Sequence, residues 1–556
     1  MSLFILLLCP VLLLCLLSGF LRLLLRQALS PLKNLRGPNS PSFWMGNLRE
    51  MHDQENNNLI ADWESAYGST FVYRGFIGGC RLMTTDPVAI AHILANAYDY
   101  PKPDFVRDSL ATMVAGDQGL LTAEGDAHRR QRKILSPAFS SSHIKSLSPI
   151  FWDKANKLRE IWLDTSDHAE TKCARVDALG WISRATLDAM GLAGFGYNFN
   201  SLLDDKNELA QAFGVIFSTA RKFRVMTILQ VWFPFLRRFR RNNAVMAQAH
   251  QTMRRIGLGL IEERSRAVIE EQAQKCGAIQ GDKTILGRDI LSVLIRSNIA
   301  TSADQNMSVD EVLCQISTFM AAGHETTSSA LTWCLYALVQ NPLAQSQLRT
   351  ALRDIECDLR SECPELAGSE YLEMLTERVS KCEYLDWVIR ETLRLHAPIT
   401  STMRVCMRDD QIPVDSDALN VDKNGRRLYG IRVKKWDIIT IPIQAINKST
   451  ALWGEDARAF KPERWARPPP NAAKAIPALY SHMLTFLNGN HACIGYKFAL
   501  LEMKIFLYTL VKDLEFRMHP SLVIEKRVNV VTRPFVKSAP ELGNQLPLDI
   551  QRVPAR

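Results

Sequence analysis

The stretch Phe486-Leu487-Asn488-Gly489-Asn490-His491-Ala492-Cys493-Ile494-Gly495 decides how this chain is read. It sets one cysteine between two glycines, behind an aromatic residue and close to an imidazole. A structural zinc site needs about four ligands, which a lone cysteine does not supply. A single thiolate does suffice as the axial ligand of a haem iron. If that is the role of this cysteine, oxygen chemistry is the expectation.

Working back from that loop, residues 309–339 read as a long, largely apolar helix, opened by Ser308 with Glu311 three residues on as a capping box. Inside it stands Ala322-Gly323-His324-Glu325-Thr326-Thr327, a polar cluster in an apolar setting. Gly323 weakens the helix, and Thr326 can bond a carbonyl behind it and loosen the ladder. The expectation is a local widening, with an acid and a hydroxyl placed to relay protons to an oxygen being reduced. The plainer alternative is a helix-packing glycine among surface polar residues.

Glu391 and Arg394 are three apart and share a helical face. Trp387, Val388, Ile389, Leu393 and Leu395 surround them, so part of this helix is expected to be buried. A buried pair needs further partners, and Arg464, in Phe460-Lys461-Pro462-Glu463-Arg464-Trp465, is the candidate. An ordinary surface pair is the alternative. Between Gly125 and Lys133 the residues His128, Arg129, Arg130, Arg132 and Lys133 cannot all face one way on a helix. Some can reach an anionic cofactor and the rest an acidic partner, or they form a solvated surface.

The chain has 556 residues, 47% hydrophobic and 22% charged, as in a folded protein with a large core. Its net charge of +9 is spread along the chain without a nucleic-acid module, which argues against nucleic-acid binding and for an acidic membrane surface or protein partner. The 12 cysteines are scattered, with no C-x-x-C pair, and read as free thiols in a reducing compartment.

Ser2 to Leu21 carries no charge and is mostly leucine, long enough to span a bilayer. Arg22, Arg26, Lys33 and Arg36 follow it, so the positive-inside rule places the remainder in the cytosol. A cleaved signal peptide is the alternative. The expected organisation is a transmembrane anchor over 1–25, a proline-punctuated linker over 26–45, and one catalytic unit over 46–556. Residues 66–95 read as short strands and a helix, 142–279 as long helices, 412–443 as hairpin strands, 497–511 as a helix and the last forty residues as a hairpin plus tail.

Taken together, these motifs resemble the cytochrome P450 family over roughly residues 38–540. The family's haem loop runs aromatic, two residues, Gly, three residues, Cys, one residue, Gly, and here these are Phe486, Gly489, Cys493 and Gly495. Its oxygen-activating helix motif is matched by Ala322 to Thr327, its Glu-x-x-Arg pair by Glu391 and Arg394, and its later arginine by Arg464. The resemblance implies a mainly α fold with small β-sheets, a triangular-prism haem domain behind an N-terminal transmembrane helix. It implies haem b with Cys493 as iron ligand, and His128, Arg132, Arg404 and His491 at the propionates. His128 stands where the family most often has Trp, and His491 where many members have Arg. Glu325 and Thr326 would handle protons, while Glu391, Arg394 and Arg464 would lock the scaffold.

The implied activity is a monooxygenase that puts one oxygen atom from O2 into a lipophilic substrate. NADPH would supply electrons through a separate flavoprotein reductase, with cytochrome b5 as a further donor. Multistep oxidation or oxidative coupling, a haem-thiolate isomerase or dehydratase, and a membrane-tethered binding or scaffold protein are the alternatives. The implied setting is the endoplasmic-reticulum membrane, and the texture is similar to fungal members of secondary metabolism. Residues around Asp104 to Leu120, Phe213 to Leu236, Cys314 to Ala322 and Pro398 to Thr402 would line the substrate pocket.

Overall fold

The computed structural model describes residues 17–554 except 20, 22, 23, 26, 54, 57, 115, 205, 221–243, 276–287, 303, 304, 416–419 and 529. The chain divides into two compact units: Met1–Pro103, Ser401–Ile446 and Ala475–Pro477 form the first, and Asp104–Thr400, Asn447–Lys474 and Ala478–Arg556 the second.

In the first unit, β1 (Thr70–Arg74), β2 (Cys80–Thr84), β3 (Thr402–Val405) and β4 (Ile438–Ile441) make one sheet in the order β1-β2-β4-β3. β1 and β2 are an antiparallel hairpin, with Thr70 opposite Thr84, whereas β2 and β4 run parallel. Trp63, Phe71, Tyr73 and Met83 form the apolar cluster beneath this sheet. The Tyr73 hydroxyl is satisfied inside it by Thr440 Oγ1 at 2.8 Å, as a buried polar tip must be. The hairpin expected within 412–443 is present as Asp410–Pro413 against Gly430–Val433. Among the described residues no helix is long and apolar enough to cross a membrane. Most of the expected anchor, residues 1–16, 20, 22 and 23, lies outside the described residues.

The second unit is helical, with α1 (Gly125–Leu135), α2 (Ser148–His168), α3 (Ala178–Phe195), α4 (Val309–Gln340), α5 (Glu383–Leu395) and α6 (Tyr496–Asp513) as its frame. α3 opens on Asp177, whose side chain accepts from Gly180 N–H, and closes on Gly196 in the left-handed region at φ 65°. α4 opens on the expected capping box: Ser308 Oγ accepts from Glu311 N–H at 3.2 Å, and Glu311 Oε2 from Ser308 N–H at 2.9 Å. α4 then runs as continuous α-helix through residues 322–327, without the widening expected there.

α4 packs along α3 and also touches α5 and α6. At Gly323 a Cβ would fall 2.6 Å from Met190 Sδ of α3, so a larger residue there would displace the Met190 side chain. α2 packs on α6, with Phe151 edge-on to Phe498 at 4.9 Å, a contact of about 0.5–1.5 kcal/mol beyond its buried area. Cys173–Asp177, Pro547–Arg552 and Leu514–Arg517 form a small antiparallel sheet. β5 (Ile524–Val528) and β6 (Thr532–Val536) form the C-terminal hairpin. The architecture is mainly helical with small sheets, as the sequence implied.

Candidate active site

The cysteine loop is two 3-10 turns, Leu484–Phe486 and Gly489–His491, leading into α6. Cys493 N–H donates to Phe486 O at 3.0 Å and ties the two ends of the loop together. Gly489 has φ 71°, and the non-glycine residues Ser481, His482 and Leu487 also occupy the left-handed region, at φ 50°, 55° and 55°. Three such residues so close together store backbone strain, which proteins hold mainly at functional sites. Phe486 is buried, with Tyr480 edge-on at 5.7 Å.

Cys493 keeps exposed surface, although protein encloses the sulfur on its other sides. Burial pushes its thiol above the ordinary value, while the Gly495 N–H and the charge of Arg132 pull it the other way. An N–H and a cation directed at a thiol favour the thiolate that a metal takes up.

α1 sorts its basic residues by face. Arg132 Nη1 donates to Ala492 O beside the cysteine. His128 is buried, its ring 4.2 Å from that of His491. Arg130 and Gln131 both turn to Glu311 at the start of α4, while Arg129 and Lys133 are exposed. His491 Nε2 also lies 3.0 Å from Glu124 Oε2. The sequence did not mark Glu124, and a carboxylate there competes with an anionic cofactor group for the imidazole. Arg404 belongs to the first unit: it is buried on β3, where Nη1 donates to Thr402 Oγ1 and to Met403 O at 2.6 and 2.8 Å.

Glu391 and Arg394 on α5 are both wholly buried. Arg394 Nε donates to Glu391 Oε2 at 3.0 Å and Nη2 to Oε1 at 2.8 Å. Glu391 also accepts from Arg464 Nε at 3.3 Å, from Trp465 Nε1 at 3.0 Å and from Lys461 N–H at 3.1 Å. The three residues expected to form one network do so, and the surface-pair alternative falls. Sequence reading missed Trp465 and Lys461, although both stand in the quoted Phe460 to Trp465 stretch. It also missed Asn447, whose backbone carbonyl accepts from Arg394 Nη1 at 2.9 Å.

On α4, Thr326 Oγ1 donates back to Ala322 O at 2.6 Å, the bond foreseen from sequence. Glu325 is buried and its Oε2 accepts from Arg533 Nη2 of β6. Nothing in the sequence spacing signalled Arg533, which lies more than two hundred residues away.

A cavity of about 350 Å³ in the second unit is bounded by Gln118, Leu209, Phe213, Met253, Cys314 and Ile316, among others. It draws on three of the segments expected to meet substrate. Most of the aromatic-rich 213–236 segment lies outside the described residues.

The residues suit a haem. An open lone thiol is flanked by a backbone N–H and an arginine, and two imidazoles stand on the same loop and on α1. Comparison with known proteins agrees. The sequence profile of the family described as "Cytochrome P450" matches residues 35–535. Cytochrome P450 monooxygenase 205 of Postia placenta is 41% identical, over 95% of this chain and 94% of that protein. Cytochrome P450 monooxygenase 128 of the same fungus is 39% identical, over 96% and 94%. Cytochrome P450 monooxygenase claQ of Ampulloclitocybe clavipes is 33% identical, over 93% of each chain.

Proposed function

The chain belongs to the cytochrome P450 family of oxidoreductases, and on that premise we propose that it is a monooxygenase inserting one oxygen atom from O2 into a lipophilic organic substrate. The observation that carries this reading is the strained loop that presents Cys493 with an open face, tuned by Gly495 N–H and Arg132.

Haem b, once bound, supplies O2 binding and the oxidising power. Cys493 would hold the iron as a thiolate, and Phe486 packs beside the loop. Gly489, at φ 71°, turns the loop ahead of Cys493, and Gly495 leads from it into α6. Arg132, His128 and His491 would meet the propionates as hydrogen-bond donors, a role that the family resemblance also gives Arg404. Glu124 shares His491, so that contact is weaker than an arginine's. Thr326 presents a hydroxyl held by Ala322 O, and Glu325, paired with Arg533, is the ionisable group one residue before it; these two would handle protons during oxygen reduction. Glu391, Arg394 and Arg464 hold the scaffold behind the loop.

Electrons come from NADPH through a separate flavoprotein reductase, with cytochrome b5 as an additional donor, and the exposed Arg129 and Lys133 suit an acidic partner. The uncharged Ser2 to Leu21 stretch and the basic residues after it support a single-pass anchor in the endoplasmic-reticulum membrane, with the catalytic units in the cytosol. Leu209, Phe213, Met253, Leu260, Leu313 and Ile316 on the cavity wall support a largely lipophilic substrate, with Asp117, Arg254 and Asp310 adding charge beside them. The test is reconstitution with a reductase, NADPH and 18O2 across a panel of terpenoids, steroids and fatty acids. One labelled oxygen atom in a product supports the reading, and a product formed without O2 supports an isomerase or dehydratase instead.

A further inference from the structure

Two glutamines inside the second unit hold one wall of the cavity in place. Gln131 of α1 and Gln315 of α4 are both fully buried. Gln315 Nε2 donates to Gln131 Oε1 at 3.0 Å, and Gln315 Oε1 accepts from Leu120 N–H at 3.0 Å. Gln131 Nε2 donates to Gln118 O at 2.7 Å and to Glu311 Oε1 at 2.9 Å. Both ends of both amides are used, and in one orientation only, because turning either amide over would set donor against donor.

The contacts to the loop go to main-chain atoms, so they fix where residues 118–120 run whatever side chains those residues carry. Asp117 and Gln118 of this loop bound the cavity on one side, and Leu313, Cys314, Ile316 and Ser317 of α4 bound it on another. The loop sits hard on that helix: at Gly119 a Cβ would fall 2.9 Å from Cys314 O. The Gln118 N–H is directed at the Cys314 sulfur, so the loop also covers that thiol. Leucine at either glutamine position would fill a similar space without the cost of burying an amide. What a fully satisfied buried polar network adds is a single fixed arrangement.

We propose that Gln131 and Gln315 are positioning residues for substrate specificity: they pin the 118–120 wall against α4 and so set the girth of substrate that the cavity admits. The inference rests on the monooxygenase reading above in taking this cavity as the substrate's.

The test uses the full chain, loaded with haem in lipid nanodiscs, as wild type, Gln131→Leu, Gln315→Leu, the Gln131→Leu/Gln315→Leu double variant, Gly119→Ala and Gln345→Leu. Gln345 is the matched control, a buried glutamine that donates to Leu338 O and Phe516 O instead. Iodoacetamide alkylation of Cys314, followed by peptide mass spectrometry, reports whether the loop covers the thiol. Absorbance titration with slim 1-octylimidazole and broad 1-tritylimidazole reports the girth admitted, as the ratio of their dissociation constants. In both single glutamine variants and in Gly119→Ala, alkylation should quicken and the ratio should move toward the broad ligand. Each change should be about two- to tenfold, the equivalent of one hydrogen bond. The double variant should fall short of the product of the single effects, since both residues act on one wall. Gln345→Leu should lower the Tm and move neither readout. An unmoved ratio or unmoved alkylation in the glutamine variants, or the same shifts in Gln345→Leu, overturns the proposal. The reduced carbon-monoxide spectrum keeps the two readings apart. A wild type without thiolate-ligated haem overturns the monooxygenase reading, and alkylation still decides whether the glutamines hold the wall. An intact spectrum with an unmoved ratio sinks only the role of the glutamines. If Gln315→Leu does not load haem, Gln315→Met, which keeps the length of the side chain, is judged by the same criterion.

Discussion

Asn447 joins Arg394 to the cysteine loop. Its backbone carbonyl accepts from Arg394 Nη1 at 2.9 Å, while its side-chain oxygen takes the Leu484 N–H at 3.0 Å and its amide donates to Thr485 Oγ1 at 2.9 Å. Thr485 Oγ1 in turn donates to Leu393 O of α5 at 2.8 Å. A buried salt-bridge network and the strained loop ahead of Cys493 are thereby one connected structure. Asn447 begins an Asn-Lys-Ser glycosylation signal, yet it is wholly buried, so the signal is unusable in the folded chain.

Asn447→Ala keeps the backbone acceptor for Arg394 and removes the two side-chain bonds to the loop. We predict a loss of about 1–3 kcal/mol, the cost of stranding buried donors, with faster haem release and little change in helix content. Urea titration with parallel circular dichroism and haem absorbance checks this; coincident, unshifted curves would sink it.

Glu391 receives five hydrogen bonds within a site of no exposure. Glu391→Ala leaves Arg394 charged and buried, and such a loss costs about 3–5 kcal/mol. We expect little or no haem-loaded protein from Glu391→Ala or Arg394→Ala. Arg464→Ala should be milder, because its second partner, Asp456 at 2.7 Å, is half-exposed and can turn to water. Equal yields of holoprotein from all three variants would contradict this ranking.

Much of this was legible from residues alone. The loop spacing, the capping box at Ser308 and the grouping of Glu391, Arg394 and Arg464 depend on local geometry or on fixed chemical need, and local patterns carry such information. What the sequence did not show are long-range partners. The glycosylation signal at Asn447 and the hairpin pattern around Arg533 say nothing of their partners, and tertiary folding alone brings them to Arg394 and Glu325. The helix widening expected around Gly323 was misplaced for a related reason. The glycine accommodates Met190 of a neighbouring helix, so its cost in propensity is offset by packing rather than expressed as a bulge.

Glu502 of α6 gives a pH prediction. It is buried, and burial raises its pKa well above the ordinary carboxyl value, with the Thr327 side chain pulling the other way. The folded chain therefore keeps a proton that the unfolded chain gives up above that value. With fewer protons on the unfolded state, stability falls as pH rises from about 4.5 toward the raised value. Glu502→Gln has no such proton to hold. Its Tm should exceed that of wild type by an amount that grows from pH 5 to pH 7, as roughly set by ordinary carboxyl titration. A constant difference across that range would refute a buried neutral acid.

Thr326→Ala removes the oriented hydroxyl on α4 without disturbing a buried charge. Product formed per NADPH should fall and peroxide rise, with productive proton transfer reduced by about a factor of 10² and substrate binding spectra unchanged. Thr326→Ser should recover part of the coupling. Unaltered coupling in Thr326→Ala would remove this residue from the relay.

The central claim is that Cys493 is a haem thiolate ligand, and the most direct measurement is the reduced carbon-monoxide difference spectrum of wild type and Cys493→Ala. The account predicts the red-shifted Soret band of thiolate-ligated haem in wild type and its loss in Cys493→Ala. A band without thiolate character in wild type, the same band in the variant, or folded protein that takes up no haem would contradict it.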